Sequence, residues 1–130
     1  MAFPVFIETN FVNLCESGDL QAVQQYLVNH PKLNIHYEHN KAFRESCAKG
    51  HLHIAQWLLE TYPRIDPFAN DFDAFKQACI NGHLQVAQWL SPKTNIDDQC
   101  SAFRHSCQSG QLHVAQWLYS QYLNKMYVSN

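Results

Sequence analysis

An all-α solenoid of about four helix-turn-helix repeats is the fold this sequence predicts, and three observations predict it. The block Lys41 to Leu59, KAFRESCAKGHLHIAQWLL, returns as DAFKQACINGHLQVAQWL from Asp73 to Leu90 and as SAFRHSCQSGQLHVAQWL from Ser101 to Leu118. A more diverged copy, TNFVNLCESGDLQAVQQYL, precedes them from Thr9 to Leu27. Every copy carries apolar residues at helical spacing on both sides of a glycine, and Gly18, Gly50, Gly82 and Gly110 stand 32, 32 and 28 residues apart. A unit of this size cannot bury its apolar face alone, so the copies are expected to stack around one shared interior.

One domain, residues 1–130, holds repeats at about 9–34, 41–66, 73–97 and 101–123, with capping ends at 1–8 and 119–130. In each copy the first half reads as a short helix with small or apolar residues on one face: Ala42, Phe43, Ser46 and Cys47, and their equivalents from Ala74 and from Ala102. Thr9, Asn40, Asp73 and Ser101 are the expected N-caps, since their side chains accept from the orphan amides of a first turn. The glycine ends this helix, being suited to a left-handed C′ position. A second helix follows at once, with Leu52, Ile54, Ala55, Leu58 and Leu59 on one broad face. Pro31, Pro63 and Pro92 close it, because the ring cannot continue the hydrogen-bond ladder. Short extended pieces such as Arg64 to Asp71 then project before the next copy. The shorter third interval removes most of the third loop, so Ser91 to Cys100 is expected to leave a notch. Phe3 to Ile7 and Tyr119 to Val128 are expected to cover the open ends, and they are apolar for that task.

This pattern resembles the ankyrin repeat. Glycine, then His51 or His83, leucine, small or branched apolar residues and a closing leucine are similar to that family's second-helix motif, and the likeness runs from Thr9 to Tyr119. The A-F-R/K-x-x-C first helix with A-Q-W-L in the second is similar to a variant form common in giant-virus ankyrin proteins. The family's T-P-L-H tetrapeptide is replaced here by KAFR, DAFK and SAFR, which removes the Thr and His that usually brace the hairpin loop. The resemblance implies a non-catalytic module that binds a protein partner through concave-side loops and first helices. Carried over position by position, the partner-binding residues are Tyr37, Glu38 and Asn40, Phe68, Asn70 and Phe72, with Lys49, Asn81 and Gln108 on the first helices. Phe68 and Phe72 are the expected centre of contact, because exposed aromatics carry binding energy that polar neighbours mostly shape. Alternatives are a structural unit that self-assembles through its apolar ends and a substrate-recruiting adaptor.

Composition sets the outer limits. With 46% hydrophobic and 15% charged residues a packed interior is expected, and a net charge of −2 offers no basic field for nucleic acid or an anionic bilayer. No run approaches the roughly 18 apolar residues of a spanning helix, and the start lacks a signal-peptide pattern. The expectation is a cytoplasmic protein, in the host cytoplasm if viral, existing as a monomer or weak homo-oligomer. Cys15, Cys47, Cys79 and Cys107 each precede the aligned glycine by three residues, which predicts reduced, buried thiols; Cys100 lies outside that register and is expected to be exposed.

Trp57, Trp89 and Trp117 share one helical position and read as core residues, each contributing roughly 1.5–3 kcal/mol by burial. As a platform for stacked bases they would need exposure and positive charge nearby. Arg44, Lys76 and Arg104 also align, and the expectation is that each ties down its own loop rather than receiving an acidic partner. Eight histidines and five cysteines raise the question of zinc, but no C-x-x-C occurs, and His51 and His53 diverge on a helix. His36 and His39 have no recognisable third ligand. No phosphate loop and no nucleophile with a base points to catalysis, so neither cofactor nor metal is expected.

Overall fold

The computed structural model describes residues 5–128, and among them there are helices and no strands. In chain order these are α1 (Val5–Ser17), α2 (Leu20–Asn29), α3 (Tyr37–Ala48), α4 (Leu52–Thr61), α5 (Ala69–Ile80) and α6 (Leu84–Leu90). A 3-10 turn at Ser91–Lys93, α7 (Ile96–Gln108) and α8 (Leu112–Val128) complete the row. Each odd-numbered helix pairs with the next, and α1, α3, α5 and α7 pack side by side in that order. Four helix pairs therefore form an all-α stack.

Its interior is one continuous cluster. Phe11, Cys15 and Val23 of the first pair meet Phe43, Cys47, Ile54 and Leu58 of the second. Phe75, Cys79, Val86 and Leu90, then Ala102, Val114 and Leu118, carry the cluster to the last pair. The tryptophans are half-buried and pack against it, and Trp89 bridges neighbours, its ring centroid 6.1 Å from that of Phe43 in the preceding pair. Small residues at Ala42, Ala74 and Ala102 let the first helices approach closely, which is the role the cysteines share.

Neighbouring pairs also interlock at the glycines. An ideal Cβ built on Gly18 would lie 2.7 Å from His51 Cε1; on Gly50 it would meet the His83 ring, and on Gly82 the Gln111 side chain. Each repeat thus seats one side chain in the hollow left by the previous glycine. The His51 ring Nε2 donates to the Glu16 carbonyl oxygen at 2.8 Å, so the seat is a hydrogen bond as well as a shape. Burial on Gly50 lowers the pKa of His83 below the ordinary imidazole value of 6.5; a hydrogen bond with the Ala48 backbone works against that and the nearby His51 adds to it. The interface accordingly accepts the neutral ring. Stability from this contact is fully present above pH 6.5 and declines as the pH falls through it, because the unfolded chain then binds the extra proton. His83→Gln, which copies the natural Gln111, is expected to flatten the urea midpoint between about pH 7.5 and pH 5.5 relative to the wild type.

Several boundaries differ from the sequence-based expectation. The first helix starts at Val5, so residues 5–8 are helix rather than a separate cap and Thr9 is not its N-cap; residues 1–4 lie outside those described. Glu8 is buried there because its carboxylate accepts from the Asn34 amide at 3.0 Å, tying the first loop to α1. Residues 119–128 likewise continue α8. Ser101 lies inside α7, whose N-cap is Asn95, accepting from the Asp98 amide at 2.8 Å. With four residues fewer the third connection cannot project and return. Instead Asn95, Asp97 and Asp98 supply a capped, acidic first turn that extends the helix forward. The register predicts a buried Cys107, and it is exposed, because no helix pair among the described residues packs over it.

Candidate functional site

The two full loops, between α2 and α3 and between α4 and α5, are built alike. An Asx turn opens each: Asn34 Oδ1 accepts from the His36 amide at 3.0 Å, and Asp66 Oδ1 from the Phe68 amide at 2.9 Å. One turn of left-handed helix follows. Glu38, His39 and Asn40 have φ of 49, 56 and 61°, and Asn70, Asp71 and Phe72 have 58, 60 and 61°. Regular right-handed α3 and α5 begin only after these residues, at Lys41 and Asp73. Left-handed conformation costs a side-chain-bearing residue roughly 1–2 kcal/mol, and three in succession persist only when their surroundings hold them.

The aligned cations supply that hold. Arg44 donates from Nη2 to the Glu38 carbonyl at 2.7 Å, from Nε to the His39 carbonyl at 2.9 Å, and from Nη1 to Asp73 at 2.9 Å. Asp73 belongs to the next repeat, so one guanidinium fastens a loop and joins two repeats. Lys76 pairs with Asp71 at 3.1 Å in the second loop. Arg104 is exposed and has no such partner among the described residues, since the shortened third connection leaves no left-handed turn to brace. The intramolecular role thus applies to two of the three cations. Arg44→Ala is expected to cost about 2 kcal/mol, as two carbonyls and a half-buried carboxylate lose a charged donor, and the shift in urea midpoint measures it. Arg104→Ala, by the same assay at low protein concentration, is expected to change little.

Around this frame the predicted contact residues are dispersed in character. Glu38 and Asn70 are exposed at corresponding places in the two turns, with Glu38 3.4 Å from Lys41. Asn40 is buried, 6% exposed, and its carboxamide oxygen accepts from His36 Nδ1 at 2.7 Å, so it builds the loop rather than facing outward. Tyr37 is half-buried against the core. Phe68 and Phe72 are both half-buried and packed together, centroids 5.2 Å apart with planes at 46°. On the first helices Lys49 is exposed and 3.9 Å from Glu16, while Gln108 is exposed in the last pair. Asn81 is exposed, yet its carboxamide donates to the Ala48 carbonyl at 3.0 Å, an inter-repeat bond. Helical spacing does not predict the left-handed turns. Their signal is compositional: YEHN and ANDF are rich in Asn, Asp and His, the residues besides glycine that enter this region most readily.

No group of three His, Cys, Asp or Glu residues suited to a metal ion occurs among the described residues. Burial pushes the Cys15 and Cys79 thiols up to about 12 and the Cys47 thiol well above the ordinary range, which removes their nucleophilicity at neutral pH. Among the described residues no helix is long and apolar enough to cross a membrane. What the two loops present is a pair of left-handed turns held by Arg44 and Lys76, the Phe68–Phe72 pair, and exposed polar side chains at Glu38 and Asn70.

Compared with known families, residues 44–91 match the model for ankyrin repeats (many copies), a stretch that runs from the bracing Arg44 through the second loop to the end of α6. Neither the curated proteins nor the solved structures returned a match.

Proposed function

This chain belongs to the ankyrin-repeat family, and we propose from that premise that it acts by binding a protein partner rather than by catalysis, through the loops and first helices of one side of the stack. Ankyrin repeats are generally protein–protein interaction modules. The observation that supports this side as the binding face is the pair of braced left-handed turns, set at the same place in consecutive repeats. A loop already ordered before encounter loses less conformational entropy on binding. Phe68 and Phe72 form the centre of the face, with Glu38, Asn70, Lys49 and Gln108 as its polar surround. Asn40 and Tyr37 support it from beneath, and Asn81 fixes the spacing of the helices behind it. The free cysteines suit a reducing compartment, and the cytoplasm is where we place its work.

The test is affinity capture with the wild-type chain, with Phe68→Ala/Phe72→Ala, and with Glu38→Arg/Asn70→Arg. Proteins retained by the wild type are expected to be lost from both variants, while helical circular dichroism stays intact. An unchanged set of bound proteins from both variants contradicts the assignment of this face. Collapse of the helical signal in the phenylalanine variant would make that pair core, leaving the charge variant to decide.

A further inference from the structure

The molecule has a second surface whose features the loops do not explain. Phe11, Phe43 and Phe75 are 1, 1 and 0% exposed under the following repeat, whereas the aligned Phe103 is 36% exposed. An added Cβ on Gly110 would meet nothing within 4 Å, so the seat filled at the other three glycines is empty here. Between α7 and α8 lies an open apolar groove walled by Ile96, Cys100, Phe103, Leu118, Tyr119 and Tyr122.

We propose that a second copy of the chain covers this end, with α7 antiparallel to the partner's α7 across a two-fold axis. The front of another copy is poorly made for the place. The side chains that seat in the interior hollows are His51, His83 and Gln111, and the tryptophans accompany them; the first repeat has Asp19 and Gln25 at these positions. Asp19 is moreover engaged as the N-cap of α2, accepting from the Ala22 amide. A head-to-tail row therefore lacks its key.

Helix α7 itself carries what a reversed copy needs. Ile96, Cys100, Phe103 and Cys107 are all exposed and recur at intervals of 4, 3 and 4 residues, the spacing of a coiled-coil seam. Gln99 and Ser106, on the other side of that stripe, are buried inward. Asp97 and Arg104 border the seam away from the core, two turns or about 10.5 Å apart along the helix. Neither side chain has a hydrogen bond or ion pair among the described residues. When a second α7 is laid antiparallel on the seam, Phe103 stacks on the partner's Cys100 and Ile96 on the partner's Cys107. Asp97 then falls beside the partner's Arg104, and symmetry makes the pair twice. A parallel neighbour would set this flank against the partner's opposite flank, and Asp97 and Arg104 would not meet. One helix thus holds both halves of a complementary charge pattern, and this commits the occupant to the same chain rather than to another protein.

Sedimentation equilibrium of the full chain over about a hundredfold concentration range tests the pairing. A reversible dimer is expected. Arg104→Asp is expected to raise its dissociation constant roughly tenfold or more, since two attractive pairs become repulsive. The exchanged double variant Asp97→Arg/Arg104→Asp is expected to restore it, and Phe103→Glu to abolish it, with helical circular dichroism confirming that each variant is folded. A wild type that stays monomeric across the range overturns the proposal. So does a dimer indifferent to Arg104→Asp, or a double variant as weak as the single one.

Discussion

Phe75→Ala is expected to destabilise the chain by about 3–5 kcal/mol, read from urea unfolding at low protein concentration. The ring has no exposed surface and sits between the repeat that owns it and the one that follows, where the stacked helices relax only partly to fill the hole. The same deletion at the aligned Phe103 is expected to cost a small fraction of that in the dilute chain. There the ring is already partly wetted, and its loss opens no closed cavity. Equal losses at the two positions would contradict the placement of Phe103 at an uncovered end.

Glycine substitutions should separate the same two environments by a different mechanism. At Gly50 alanine meets two penalties: a left-handed backbone, φ +81°, and a methyl group driven into the His83 ring. The first costs about 1 kcal/mol or more; the second unseats a side chain that joins two repeats, and a total near 3 kcal/mol is expected. At Gly110 the backbone is again left-handed, φ +75°, but the methyl group enters open space. Only the backbone cost should appear. Thermal or urea unfolding of Gly50→Ala and Gly110→Ala side by side measures the difference, and identical losses would remove the seat from the account.

These contrasts also show what was legible in the residues. The repeat, the helix pair on either side of each glycine and the buried register of Cys15, Cys47 and Cys79 follow from periodicity, because the period of an apolar pattern is the geometry of the helix that carries it. Position within the row is a different kind of fact. Phe103 and Cys107 hold the same register as Phe75 and Cys79 in closely similar blocks, but among the described residues no following repeat packs over them. Local pattern assigns both to the interior; what lies against them in the row decides otherwise. The candidate site was legible in outline. Loss of the family's usual bracing residues pointed to a different loop, but three left-handed residues in a row depend on Arg44 reaching back to two carbonyls and across to Asp73, a contact 29 residues distant. Such a contact has no signature in local spacing. Asn40 shows the consequence: its position in the repeat pointed outward, and the reversed turn carries it in against His36.

Thiol labelling tests the row with an open end most directly, since the chain carries one cysteine at the same register in every repeat. In the Arg104→Asp variant, whose last repeat stays uncovered, alkylation followed by peptide mass spectrometry is expected to modify Cys100 and Cys107 rapidly. Cys15, Cys47 and Cys79 should remain unmodified until the chain unfolds, being buried with thiols held far from ionisation. Protection of Cys107 equal to that of Cys79, or modification of Cys47 as fast as that of Cys107, would contradict the stacking described here.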